Sequence, residues 1–182
     1  KDLILQRLKF AAAELAKSSA AGYLPFSVEY SLGEGRGIVF GGARIKGKID
    51  RIEYHPGMEV LRLLDFKTGK LESPEDAHYQ ISGPENAHLE LQLPLYALLI
   101  RRDTAFRERF LRETGIEPET LKIICGYFSL PSHVTETRIA EWDPEKLEAF
   151  LPYAQKETKR IVSEILEWDK TPRLCENPEK SP

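Results

Sequence analysis

Cysteine is almost missing: 182 residues hold two, Cys125 and Cys175, fifty positions apart. Neither has a second cysteine nearby, which excludes a disulfide framework and leaves no complete zinc or iron-sulphur site in the sequence. Idle or buried thiols in a reducing cytoplasm are the expectation for both. Long apolar runs are missing too. The longest, near Leu93 to Ile100, falls far short of the roughly 20 residues a spanning helix needs. No basic-then-apolar leader opens the sequence, so a cytoplasmic chain without a membrane partner is expected. Positive charge is not in excess: 26 Lys and Arg stand against 29 Asp and Glu, a net charge of -3. No global field therefore attracts a polyanion, and any such contact has to be local. What is present is a hydrophobic fraction of 41%, enough for one core in a chain of this length. A single domain over residues 1–182 is expected, with a polar tail at 170–182. Because the sequence starts at Lys1 with a helical pattern already running, a fragment of a longer chain is the natural reading.

Apolar residues recur at helical spacing at Leu3, Leu5, Leu8, Ala11, Ala12 and Leu15, predicting an amphipathic helix that ends in the 18–22 stretch. Alternation over 26–32 predicts a half-buried strand, and the glycine-rich 33–37 segment its turn. A second strand is expected to start near Ile38, bulge at Gly41-Gly42 and continue over 43–54. His55-Pro56-Gly57-Met58 reads as a turn, 59–67 as the returning strand and Thr68-Gly69 as its close. The polar 70–87 stretch reads as a long surface loop. One helix is expected over 89–112, regular mostly after Pro94, which belongs in its first turn or at a kink. Strands at 121–130 and 134–140 should form a hairpin across Pro131-Ser132-His133, and Pro144 should open a last helix reaching about Trp168. This order predicts an α/β sandwich with a mixed sheet, since two hairpins supply antiparallel pairs.

The hairpin over 45–67 carries the candidate chemistry. With its turn centred on Pro56-Gly57, facing residues have numbers summing to 113, or to 115 if the loop is slightly longer. Asp50 and Asp65 are diagonal neighbours in the first register and face each other in the second. In both they share one face of the sheet with Lys67, while Leu64 and Phe66 point the other way into apolar packing. Two carboxylates set close together in an apolar strand need compensation, and a hard cation supplies it. Magnesium accepts one or two carboxylates and fills its shell with water and phosphate oxygen. The Lys67 ammonium could then hold an attacking water or offset developing negative charge. On spacing alone, an ordinary same-face ion pair is the favoured account of Asp65 and Lys67.

Three segments together go further: Gly47-Lys48-Ile49-Asp50-Arg51-Ile52, Leu64-Asp65-Phe66-Lys67-Thr68-Gly69 and Gln92-Leu93-Pro94-Leu95-Tyr96-Ala97. In order and spacing they resemble the successive signatures of RecB-like nucleases of the PD-(D/E)XK superfamily. The resemblance implies a restriction-endonuclease-like core, a mixed β-sheet flanked by α-helices. It implies that Asp50 and Asp65 bind Mg2+ or Mn2+, that the Phe66 carbonyl joins them, that Lys67 assists the water, and that Gln92 and Tyr96 lie beside the site. Glu29 stands where the family often has a further carboxylate, although an exposed strand glutamate is an equal alternative. The implied activity is metal-dependent DNA hydrolysis, with exonuclease action expected, in end processing and repair beside a helicase domain or subunit. The alternative is a nuclease-fold module without catalysis that binds DNA or braces a helicase. Active relatives carry a histidine upstream, and none precedes His55 here; His55 lies at the far end of the hairpin, and His78 and His88 read as surface residues. The histidine therefore precedes Lys1, or is dispensable, or marks a degenerate site. Cys175 lies where later cluster ligands gather in some relatives, but has no companions, and Cys125 reads as a buried small hydrophobe.

DNA contacts are expected from Arg44, Lys46 and Lys48. On one continuous strand these share parity with Asp50 and would form a cationic row ending at the metal site. Tyr96 is counted with them as a contact.

Overall fold

The computed structural model describes residues 2–68, 90–131 and 133–170. Helix α1 (Asp2–Ala20) leads to β1 (Leu24–Ser31), a short hairpin β2 (Ile38–Phe40) and β3 (Ala43–Ile45), then β4 (Lys48–His55) and β5 (Val60–Lys67). Helices α2 (Gln92–Ile100) and α3 (Thr104–Thr114) precede β6 (Lys122–Ser129), β7 (Arg138–Glu141) and α4 (Pro144–Lys170). Five strands form one sheet in the order β1-β4-β5-β6-β7. β5 and β6 run parallel, while the other neighbours are antiparallel, which gives the expected mixed sheet.

The central strand β5 is buried through Asp65 because both faces are covered. On one face Ile52, Leu61, Leu63 and Cys125 pack with Leu93, Ala97, Phe106, Phe110, Leu147 and Leu151 in a single core. On the other, Val60 and Ile124 meet Tyr23, next to the docked end of α1. The N-terminal half of that helix departs from expectation. Leu3, Ile4, Leu5 and Leu8 are exposed, and only Ser18 is buried along its length.

Two other elements differ from the sequence-based reading, both for local reasons. The strand expected over 38–54 is three strands. Gly41 and Gly42 have φ of 61° and 90°, the pair of positive values that a two-residue hairpin turn requires, so they reverse the chain where a bulge was expected. A second break follows at Lys46-Gly47, where Leu32 N–H donates to the Gly47 carbonyl at 3.0 Å. The helix expected over 89–112 divides at Arg101-Arg102. Asp103 caps α3 by accepting from Phe106 N–H at 3.1 Å, and the same carboxylate accepts from Gly33 N–H at 2.6 Å and Tyr30 Oη at 3.0 Å. Pro94 sits in the first turn of α2, where its missing N–H costs nothing.

The last hairpin forms as β6 and β7, although a 3-10 turn at Val134–Glu136 shortens its second strand. The loop expected over 70–87, Ser132 and the tail beyond 170 lie outside the described residues. Among those described, no helix is long and apolar enough to cross a membrane.

Candidate active site

Pairing of β4 with β5 runs from Arg51 opposite Leu64 to His55 opposite Val60. Each pair sums to 115, the register of the longer loop, and continuing it one step sets Asp50 across from Asp65. There the ladder gives way to side-chain chemistry. Asp50 Oδ2 accepts the backbone N–H of Phe66 at 2.6 Å. Asp65, only 5% exposed, accepts from Gln92 Nε2 at 2.7 Å and pairs with Lys67 Nζ at 2.9 Å.

Helix α2 closes the site because Gln92 and Tyr96 stand one turn apart on it. Gln92 Oε1 accepts from Lys67 Nζ at 2.9 Å, and its Nε2 also donates to Tyr96 Oη at 3.0 Å. Tyr96 Oη in turn donates to the Lys48 carbonyl at 2.6 Å. The structure thus joins Asp50, Asp65, Lys67, Gln92 and Tyr96 in one constellation across two strands and a helix.

Glu90 belongs to the same cluster and was missed in the sequence. It accepts from Lys67 Nζ at 3.1 Å and is a hydrogen-bond partner of the Tyr127 hydroxyl. Its place two residues before Gln92 is the signal it offered, and nothing set it apart from other loop acids. Burial raises the Asp65 carboxyl above its ordinary range. Lys67 opposes the shift, while Asp50 and Glu90 add to it. Partial burial works against the Lys67 ammonium, but its bonds to Asp65 and Glu90 outweigh that and hold it above its usual value.

The remaining candidates fall differently. Val28 faces Arg51 and Tyr30 faces Ile49, so Glu29 lies beside Asp50 along the register. Its φ of 52° turns it out of the extended conformation, and its carboxylate accepts from Lys48 Nζ at 2.7 Å in solvent. Phe66 is 38% exposed rather than packed away, although its ring meets Phe128 edge-on. The cationic row is interrupted: Arg44 lies on β3 and donates to the Gly37 carbonyl at 3.1 Å, Lys46 sits in the break, and Lys48 alone shares the strand of Asp50. His55 accepts from Met58 N–H at Nδ1, 3.0 Å away, which leaves Nε2 to donate to the Ala21 carbonyl at 3.0 Å; its role is to tie the turn to the end of α1. Cys125 is buried and donates to the Leu93 carbonyl at 3.5 Å, and burial pushes its thiol well up. His78, His88 and Cys175 lie outside the described residues.

Among the described residues no group of three or more His, Cys, Asp and Glu is placed to hold a metal ion. Two carboxylates suffice for a hard divalent ion that keeps water and phosphate in its shell. The donors fit: both are oxygen, and Asp65 is a buried carboxylate with further acids beside it and one lysine to offset them.

The chain belongs to the PD-(D/E)XK nuclease superfamily, whose family model matches residues 2–177. Nucleases of this superfamily generally use divalent metal ions. Two solved structures are similar over most of this chain. One, a candidate exonuclease from Eubacterium rectale, is 16% identical, with 96% of this chain and 62% of that one covered and a TM-score of 0.41. The other, SSO0001, is 17% identical, with 89% and 61% covered and a TM-score of 0.32. The chain thus spans about three-fifths of each of those proteins. No curated protein matches it.

Proposed function

We propose that the chain hydrolyses DNA phosphodiester bonds with a divalent ion, Mg2+ or Mn2+, held by Asp50, Asp65 and the Phe66 carbonyl. The observation that carries this reading is the pair of cross-strand aspartates whose inner member, Asp65, is bonded by both Lys67 and Gln92. A bound divalent ion would supply an activated water and stabilise charge on the phosphorus and the leaving oxygen. The protein groups do the rest. Lys67 orients the attacking water and offsets negative charge in the transition state. Gln92 fixes both Lys67 and Asp65 through the two ends of one amide, and Tyr96 fixes Gln92 against the strand. Lys48, Lys46 and Arg44 contribute local positive charge to a chain that is acidic overall, with Glu29 setting the position of Lys48. Exonuclease action, end processing and work beside a helicase rest on the resemblance of the three motifs.

Calorimetric titration of Mg2+ or Mn2+ into the wild type and Asp65→Asn, together with cleavage of an oligonucleotide, tests the assignment. The expected result is specific cation binding and cleavage by the wild type, and neither by the variant, which stays folded. Cation binding without cleavage would favour the catalytically silent module that binds DNA or braces a helicase. No cation binding at all would remove the assignment.

A further inference from the structure

The β2–β3 hairpin and the turn at Leu32–Gly35 stand outside the cluster around Asp50 and Asp65. Between them and the start of α3 lies an open cavity of ≈ 240 Å³, lined among others by Gly33, Gly37, Arg36, Arg44, Arg102 and Asp103. Three arginines line this one concavity in a chain of net charge -3, and each is held by a different contact. Arg44 donates to the Gly37 carbonyl at 3.1 Å. Arg102 lies over the Phe40 ring at 4.6 Å and donates to the Leu98 carbonyl at 3.2 Å. Arg36 is bonded to Glu34 at 3.3 Å, and both side chains are largely exposed.

The two acids that line the cavity, Glu34 and Asp103, are outnumbered by its three arginines and leave their donors available. Asp103 is buried and already accepts from Gly33 N–H, Tyr30 Oη and Phe106 N–H. Glu34 holds Arg36 only through an exposed pair, which yields readily to a better acceptor. Each guanidinium has five N–H donors in a planar fork, so all three keep donors to spare. Clustered forks of this kind match the oxygens of a phosphate.

The cavity is also coupled to the catalytic end of the sheet. Leu32, at the start of its wall, donates to the Gly47 carbonyl at 3.0 Å. The next carbonyl, that of Lys48, is the one held by Tyr96 at 2.6 Å. We propose that Arg36, Arg44 and Arg102 form a seat for a backbone phosphate of the nucleic acid away from the scissile one, fixing the strand relative to Asp50 and Asp65. Arg44 thus acts with the cavity rather than with a row along β4. The inference rests on the nuclease reading.

The test uses the full chain, with Arg36→Gln alone and with Arg44→Gln added; Arg102 is left because it packs on Phe40. Oligonucleotide binding is measured against salt in EDTA, and Mg2+ affinity without DNA by calorimetry. The double variant should bind about tenfold more weakly and lose roughly one unit of salt slope per arginine, with Mg2+ affinity and unfolding midpoint unchanged. A scan with single methylphosphonate linkages should find one non-scissile position that weakens the wild type and leaves the double variant unaffected. Wild-type affinity and slope in the double variant, while the wild type still binds and cuts DNA, would overturn the seat and leave the nuclease reading intact. Arginine-dependent binding of inorganic phosphate with no sensitive position in the scan would make the cavity a free-anion site and overturn the backbone assignment. A wild type that neither binds nor cuts DNA would overturn the nuclease reading and this inference with it.

Discussion

The β4–β5 hairpin carries a cluster of charges on each face, and the two are balanced differently. Towards α1, Glu53 and Arg62 face each other across the strands and are 1% and 4% exposed. Arg62 bonds Glu53, Ser18 and, at 2.6 Å, Glu141; it also lies 3.4 Å from the centroid of the Tyr23 ring. Arg51 adds a bond to Glu53 at 2.6 Å. Two acids thus meet two arginines. Burial pushes the Glu53 carboxyl up, but the bonds from Arg62 and Arg51 outweigh it and hold the group below its ordinary range. Towards α2, by contrast, Asp50, Asp65 and Glu90 cluster around Lys67, which pairs with Asp65 and Glu90 among the described residues, and the Asp65 carboxyl is held above its ordinary range by burial. The first cluster is closed and locks α1 to the sheet. In the second, among the described residues, acids outnumber the lysine they surround, an arrangement that favours a cation.

The largest effect should come from opening the closed cluster. Arg62→Met leaves Glu53 buried with Arg51 and the Ser18 hydroxyl, and removing one partner of a buried pair costs about 3–5 kcal/mol. Denaturant unfolding of the variant checks this; a loss under about 1 kcal/mol, the range of an exposed pair, would mean that the cluster does not hold α1. Next in size is the cation's own contribution. At a concentration about 100 times its dissociation constant, Mg2+ should stabilise the wild type by roughly 2.7 kcal/mol, and Asp65→Asn by nothing. Thermal melts with EDTA and with Mg2+ decide between them.

A smaller effect separates the clusters by pH. A raised folded-state pKa favours the protonated form, so the ease with which Asp65 is buried is fully present below its unfolded pKa and is lost as pH rises through the folded value. Glu53 has the opposite sign: its contribution is present above the unfolded pKa and lost as pH falls through its depressed folded value. In EDTA, Asp65→Asn and wild type should therefore match in stability at acid pH and diverge across the carboxylate range, with the variant more stable at neutral pH. Both should lose stability at the acid end, where Glu53 takes up its proton. Unfolding curves collected at steps of pH measure the divergence, and parallel curves would mean that Asp65 carries no such penalty.

The difference between the clusters also explains what was legible in the sequence. Period-two alternation places Asp50, Asp65 and Lys67 on one face whichever register the turn selects, so the half of the hairpin that faces α2 could be read from spacing, and Gln92 with Tyr96 from their single helical turn. Glu90 could not, because it meets Lys67 across 23 positions of sequence with no shared periodicity. Glu53 and Arg62 were equally hidden: charged residues inside β4 and β5 gain their meaning from Ser18, 35 positions before Glu53 in sequence. The mixed sheet followed from the order of elements. The split of 38–54 did not, since Gly-Gly supports a bulge and a reversal equally well until both φ values are known. The break after Ile100 was the more readable miss, because Asp103 before Thr104 is a strong N-cap signal inside an otherwise continuous helical pattern.

The smallest predicted effect concerns Glu90, and it asks whether the excess of negative charge or the placement of Lys67 matters more. Lys67 is held by Asp65, Gln92 and Glu90, at 2.9, 2.9 and 3.1 Å. Glu90→Gln removes a charge but keeps an acceptor for Lys67, whereas Glu90→Ala removes both. If Glu90 serves to position the lysine, turnover should fall by about threefold or less in the glutamine variant and about tenfold in the alanine variant. Misplacing a group that acts in the transition state lowers kcat while substrate binding is nearly kept. If its charge is what matters, both variants should fall equally, and cation affinity should fall with them as the negative field at Asp50 and Asp65 weakens. Single-turnover cleavage at saturating DNA, paired with calorimetric Mg2+ affinity for the two variants, separates these outcomes. The geometry favours positioning, because the hydrogen bonds of Glu90 go to Lys67 and Tyr127, while its charge is the smallest of the influences on Asp65.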